Sequence, residues 1–192
     1  DQCEYLGERG KNPSDIVYTG SGPIIGFEEL RNGEKQFVFL GIPYAQPPIS
    51  ELRFKPPKPV KPWVEVKDAS NNGAKCLQAS GDVIPEETGG NFNESEDCLT
   101  LNIFTNSLGN KRAAQAVMIW IHGGGFTVGS KDIVRMDEIV AEDIVLVTIN
   151  YRLGALGFLS FGSDIVSGNM GLKDQNLAIK WVKANIHHFG GD

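Results

Sequence analysis

Short apolar runs broken by glycine set the rhythm of the first part of the chain. Residues 16–18, 23–27 and 36–42 are β-branched or aromatic, and Gly20-Ser21-Gly22 and Asn32-Gly33 separate them. This pattern predicts short strands joined by tight turns, an antiparallel sheet at the N-terminal end. An Asn-Gly pair supplies the positive φ angles that a tight hairpin requires. Residues 43–63 then carry Pro43, Pro47, Pro48, Pro56, Pro57, Pro59 and Pro62. Proline removes a backbone donor and fixes φ, so an extended surface wrap is expected there, without helix or ladder pairing. The stretch 71–97 is polar and glycine-rich, and a long loop without a core of its own needs a tether.

After Cys98 the rhythm changes. Residues 99–105, 116–121 and 144–149 are strand-like, and the last two are continuous apolar runs, the pattern of strands buried on both faces. Residues 132–142 are expected to form a short helix between those two. From 172 to 188, Leu172, Ile179, Val182 and Ile186 fall on one helical face, with Trp181 beside it. Phe189-Gly190-Gly191 stops that helix. His187 and His188 close it, where partial positive charge suits the C-terminal end of the helix dipole. Strand and helix in alternation predict an α/β fold, with antiparallel opening strands leading into a mostly parallel sheet.

Composition narrows the function classes. The chain has 192 residues, 41% of them apolar and 22% charged, as in ordinary globular proteins. No apolar run reaches the ~18 residues of a membrane span, so no transmembrane helix is expected. A net charge of −6 without a basic stripe argues against nucleic acid and anionic membranes as partners. The 3 cysteines, Cys3, Cys76 and Cys98, are too few for a disulfide-dense scaffold and do not fit a zinc ribbon. Their odd number leaves one thiol free or paired outside the chain. Asn93-Glu94-Ser95 is a glycosylation sequon. The chain opens at Asp1 without an initiator Met or an apolar leader, and is read as a processed form or a piece of a longer protein.

The candidate chemistry lies in His122-Gly123-Gly124-Gly125-Phe126, directly after an apolar strand. A bare glycine triplet is compatible with a simple tight turn. At a strand end and behind a histidine, it also fits a loop whose backbone N–H groups face a ligand, as an oxyanion in acyl transfer needs. An HGGG-type loop of this kind serves lipases and esterases.

Further stretches carry a family resemblance in order. They are Phe39-Leu40-Gly41-Ile42-Pro43-Tyr44-Ala45, Leu52-Arg53-Phe54, and Ser95-Glu96-Asp97-Cys98-Leu99-Thr100-Leu101-Asn102. After the glycine loop come Asn150-Tyr151-Arg152-Leu153-Gly154, Gly168-Asn169-Met170-Gly171-Leu172-Lys173-Asp174-Gln175 and Phe189-Gly190-Gly191-Asp192. With these the chain resembles the type-B carboxylesterase/cholinesterase family of the α/β-hydrolase fold, and is most similar to its insect members. The match runs from about residue 16 to the end, leaving 1–15 as an N-terminal extension. The resemblance implies that 16–192 is the N-terminal part of a catalytic domain, ending before the nucleophile elbow. No Gly-x-Ser-x-Gly occurs in the 192 residues, so the serine, acid and base are expected further on and this chain alone is expected to be inactive.

By the same resemblance, the N–H groups of Gly124 and Gly125 are two donors of the oxyanion hole, shaped by His122 and Gly123, and Phe126 packs beside them. Cys76 and Cys98 match the family's first disulfide, worth ~3 kcal/mol in the chain-entropy model. That implies an oxidising compartment, a secreted protein and a glycan at Asn93. Arg53 with Glu96 and Arg152 with Asp174 are implied as partly buried, bidentate architectural pairs. Asn169 and Gln175 are implied as scaffolding. The 76–98 loop holds no tryptophan, its one aromatic being Phe92. Cholinesterases hold their cation on a tryptophan in that loop, so uncharged small-molecule esters are the expected substrates. No metal or organic cofactor is implied. The competing expectation is a cholinesterase-like adhesion or receptor ectodomain that has lost catalysis.

Overall fold

A computed structural model describes residues 12–31, 33–78, 94–108, 114–132, 139–140, 142–163 and 165–192. In chain order the strands are β1 (Asn12–Pro13), β2 (Val17–Thr19), β3 (Gly22–Ile25), β4 (Phe27–Arg31), β5 (Glu34–Pro43), β6 (Lys67–Asp68) and β7 (Lys75–Cys76). They continue with β8 (Glu94–Ser95), β9 (Thr100–Thr105), β10 (Ala116–Ile121), β11 (Ile144–Ile149), β12 (Ser160–Ser163) and β13 (Val166–Ser167). The helices are α1 (Gly154–Phe158) and α2 (Met170–Asn185), and a 3-10 turn, Ile186–Phe189, extends α2. No helix among the described residues is long and apolar enough to cross a membrane.

Turn chemistry sets the first registers. Thr19 faces Gly22 across β2 and β3, with Gly20 and Ser21 as the turn. Arg31 faces Glu34 across β4 and β5, and Gly33 takes φ +83° between them. The expected antiparallel opening is therefore present. It includes β1 on β4, so Asn12 and Pro13, assigned above to an extension, are strand residues.

The main sheet has the order β1-β4-β5-β9-β11-β10. Only β10 and β11 run parallel in it; β4, β5, β9 and β11 pair antiparallel. The mostly parallel sheet expected from the strand–helix rhythm is thus a mixed one among the described residues. Two of its strands, β9 and β11, follow one another in the sheet but are separated in sequence by β10, and the returning chain sets their direction. The register of β5 on β9 shifts between Phe39 and Ile42. There Leu40 N–H turns to Ala69 O at 2.7 Å and Gly41 N–H to Asn102 Oδ1 at 2.9 Å.

β9 and β11 are the buried strands, from Leu101 to Thr105 and from Val145 to Ile149. Leu101, Ile103, Val145, Val147 and Ile149 pack with Phe39 on one face, which α2 covers through Ala178, Trp181 and Val182. Each such side chain contributes about 1.5–3 kcal/mol on burial. The opposite face holds Phe27, Val38, Phe104, Val140 and Leu146. β10 departs from expectation. Met118 is 40% and Ile121 38% exposed, because β10 is the sheet's edge among the described residues.

α2 and its 3-10 extension bury only part of the face their apolar spacing suggests, with Val182, Ile186 and the neighbouring Trp181 inward. Met170, Asp174, Ala178, Trp181, Val182 and Asn185 are buried, while Leu172 and Ile179 are exposed. Polar anchors set the rotation: Asp174 on Arg152, Trp181 Nε1–H on Ser21 Oγ at 3.0 Å, and Asn185 Oδ1 accepting Gly20 N–H at 2.7 Å. The Pro-rich wrap is extended but not free of pairing. Pro43 takes the last position of β5, opposite Thr100, Ala45 bridges Pro59, and Ser50–Leu52 forms a 3-10 turn. The helix expected over 132–142 falls largely outside the described residues.

Candidate active site

β10 delivers the chain to His122, and an apolar strand ends in a loop of exposed glycines. His122 itself is buried. Its ring stacks on Tyr151 at 4.4 Å and 14°, and Tyr151 Oη donates to His122 O at 2.9 Å. His122 Nδ1 lies 2.8 Å from Gly123 O. A carbonyl only accepts, so Nδ1 carries the proton, and burial pushes the ring pKa below its usual value. His122 is thus a neutral ring committed to the loop's own backbone, which suits shaping the loop and not general-base work.

The loop holds itself in place. Gly124 O accepts Thr127 N–H at 3.0 Å and Val128 N–H at 3.1 Å, with Thr127 Oγ1 also at 3.1 Å. Gly124 takes φ +111°, and an added Cβ would run into the Val128 carbonyl. Gly125 follows at φ +59°. The N–H groups of Gly124 and Gly125 have no hydrogen-bond partner among the described residues, and both glycines are exposed. Phe126, at φ +62°, packs on Phe158 at 5.0 Å and Tyr151 at 6.4 Å, and its carbonyl accepts Gly154 N–H at 2.7 Å. It remains half exposed, so it is also a surface of the site.

Several supports were not visible in the sequence. Gln78 holds Gly129 from the side, accepting its N–H at 2.8 Å and donating to its carbonyl at 3.1 Å. Lys131 is fully buried; its Nζ meets Asp132 Oδ1 at 2.8 Å and Asn72 O at 2.6 Å, and burial lowers its pKa. Asn150 joins the same region, its Oδ1 accepting Lys131 N–H at 2.8 Å. Asn150 opens a stretch that carries the family resemblance, and Gln78 and Lys131 lie shortly after Cys76 and the glycine loop, but position alone does not reveal a contact.

Cys76 and Cys98 form a disulfide with Cα atoms 4.9 Å apart. Parallel pairing of Lys75 with Glu94 and Cys76 with Ser95 continues from it. Arg152 and Asp174 pair through Nε to Oδ2 at 2.8 Å and Nη2 to Oδ1 at 2.7 Å, fully buried. Burial raises the Asp174 pKa against the pull of that guanidinium. Arg53 and Glu96 are also bidentate, at 2.6 and 2.5 Å. The Arg53 side chain, on the Pro-rich wrap, is 46% exposed and that of Glu96 18%. Asn169 starts α2 with φ +59° and no side-chain cap. His187 and His188 sit side by side in the 3-10 turn, rings 3.9 Å apart. Cys3 and Asn93 lie outside the described residues.

With this geometry in place, comparison with known proteins gives consistent matches. The Carboxylesterase family matches residues 13–192. A carboxylic ester hydrolase of Bombus ignitus is 44% identical over 177 residues, 92% of this chain and 32% of that protein. Pyrethroid hydrolase Ces2e of Rattus norvegicus is 40% identical over 198 residues, 99% of this chain and 35% of that protein. Cholinesterase of Mus musculus is 40% identical over 199 residues, 99% of this chain and 33% of that protein. The chain spans about a third of the length of these curated relatives.

Proposed function

The chain belongs to the carboxylesterase family, and from that premise we propose that it carries the oxyanion loop of a secreted serine carboxylesterase of the α/β-hydrolase fold. The carrying observation is the loop after β10, where Gly124 and Gly125 hold exposed N–H groups without a partner among the described residues. An ester carbonyl under attack becomes a tetrahedral oxyanion, and preorganised donors aimed at that charge lower the barrier. A serine attacks, the oxyanion rests on Gly124 and Gly125 N–H, the alcohol leaves, and water releases the acid from the acyl-enzyme. His122 and Gly123 hold the two donors in place.

Nucleophile, acid and base come from sequence beyond residue 192 of the whole protein. The register at Gly191 supports this. Gly191 bridges Gln115 in parallel at the open edge of β10, with Gln115 N–H on Gly190 O and Asp192 N–H on Gln115 O, each at 3.0 Å. Residues continuing in that register run along β10 towards the glycine loop, where a serine is needed.

The 76–98 loop without tryptophan favours uncharged esters over choline esters. The disulfide suits an oxidising compartment, with a glycan on Asn93. The full-length protein is expected to hydrolyse p-nitrophenyl butyrate with a higher kcat/KM than butyrylthiocholine. It is also expected to label covalently with a fluorophosphonate. A preference for the thiocholine ester contradicts the substrate class; no turnover of either ester contradicts the enzyme.

A further inference from the structure

Gln78 lies two residues beyond Cys76 and, among the described residues, makes no hydrogen bond to residues 123–126. Its amide nevertheless occupies both hydrogen-bonding groups of Gly129, as a neighbouring strand would. Gly129 N–H donates to Gln78 Oε1 at 2.8 Å, and Gln78 Nε2 donates to Gly129 O at 3.1 Å. The same Nε2 donates to Cys76 O at 3.0 Å, so the clamp is anchored at the disulfide. Gly129 is buried at φ +122°, and an added Cβ would strike the His122 ring and lie 2.7 Å from Gly123 O. The backbone of Gly129 is therefore the floor under the His122–Gly123 peptide, immediately before the donors of Gly124 and Gly125. From the other side, Val128 N–H closes on Gly124 O at 3.1 Å.

We propose that Gln78 is a positioning residue for catalysis: it fixes Gly129 and, through it, the aim of the Gly124 and Gly125 N–H groups, tying the oxyanion loop to the Cys76–Cys98 disulfide. The inference rests on the oxyanion role proposed above. Only a primary amide of this length supplies one acceptor to Gly129 N–H and two donor hydrogens to two carbonyls at once. An apolar isostere leaves Gly129 free to shift, and a small misplacement of oxyanion donors costs rate and not substrate affinity.

The test uses the full-length enzyme with a p-nitrophenyl ester. Gln78→Leu is expected to lower kcat about 10- to 100-fold with KM nearly unchanged, and to weaken a trifluoromethyl ketone, which forms the oxyanion, by a similar factor. Gln78→Glu supplies a second reading. Its protonated carboxyl restores a donor to Gly129 O, whereas its ionised form faces the carbonyls of Cys76 and Gly129 with the Glu94 carboxylate nearby. The ratio of its kcat to that of the wild type is therefore expected to rise as pH falls, which a purely structural role would not produce. An active wild type with unchanged kcat in a folded Gln78→Leu variant, or a Gln78→Glu ratio flat with pH, overturns the proposal. A wild type inert towards every ester overturns the oxyanion reading itself, and this proposal with it.

Discussion

Gly33 and Gly124 both follow a strand and both take positive φ, +83° and +111°. Around Gly33 an added Cβ meets nothing within 4 Å, whereas at Gly124 it runs into the Val128 carbonyl. The first glycine is needed only to turn a hairpin. The second is needed to turn and to let backbone approach backbone, and its carbonyl is held by Thr127 and Val128 N–H. Glycine after an apolar strand is thus ambiguous by itself. What separates a turn from a site is whether the surrounding chain makes contacts that fix it, as Gln78 and Tyr151 do for residues 122–129.

Substitutions can break this contrast. Gly124→Ala in the full-length enzyme keeps the N–H but drives a Cβ into the Val128 carbonyl. The displaced donor is expected to lower kcat by roughly 10²–10³-fold, as the loss of one oxyanion donor does. Steady-state kinetics on a neutral ester checks it, and a kcat within a few-fold of wild type would place the two glycines in one class. Replacing Cys76 and Cys98 together by alanine is expected to cost about 3 kcal/mol in denaturant midpoint measurements. Activity should fall with it, because the Gln78 clamp loses its anchor. Gly33→Ala strains a left-handed turn in open space. A loss of about 1 kcal/mol is expected in thermal unfolding, with kcat unchanged.

A further effect is expected with pH. Burial holds His122 below its usual pKa of 6.5, so on acidification the unfolded chain takes up a proton that the folded ring refuses. Stability is therefore expected to fall as pH drops through 6.5, by at most about 1.4 kcal/mol per pH unit, until the folded ring protonates as well. Unfolding of wild type and His122→Gln across that range checks it, since the variant should lose this part of the slope.

Much of this was legible in the sequence, where local chemistry decides. Asn32-Gly33 announced a hairpin, the apolar runs marked β9, β10 and β11, and the glycine triplet marked a strand-end loop. Where partners decide, the pattern misled. The apolar run of β10 suggests burial on both faces, but the strand is the sheet's edge among the described residues, with Met118 and Ile121 partly exposed. Spacing in α2 favours Leu172 and Ile179 as core, but Asp174, Trp181 and Asn185 have polar partners on the sheet side and set the rotation. Strand direction among the described residues follows from which strands become neighbours, which rhythm does not reveal. Gln78 was invisible for the same reason: a polar residue in a polar loop gains its role from a backbone 51 positions away.

The most direct measurement is a structure of the full-length protein inhibited by a dialkyl p-nitrophenyl phosphate. The phosphoryl oxygen of the serine adduct is expected within about 2.7–3.1 Å of both Gly124 N and Gly125 N. An adduct whose oxygen points away from residues 122–125, or a loop whose Gly124 and Gly125 N–H groups are taken by protein carbonyls, would contradict the oxyanion role.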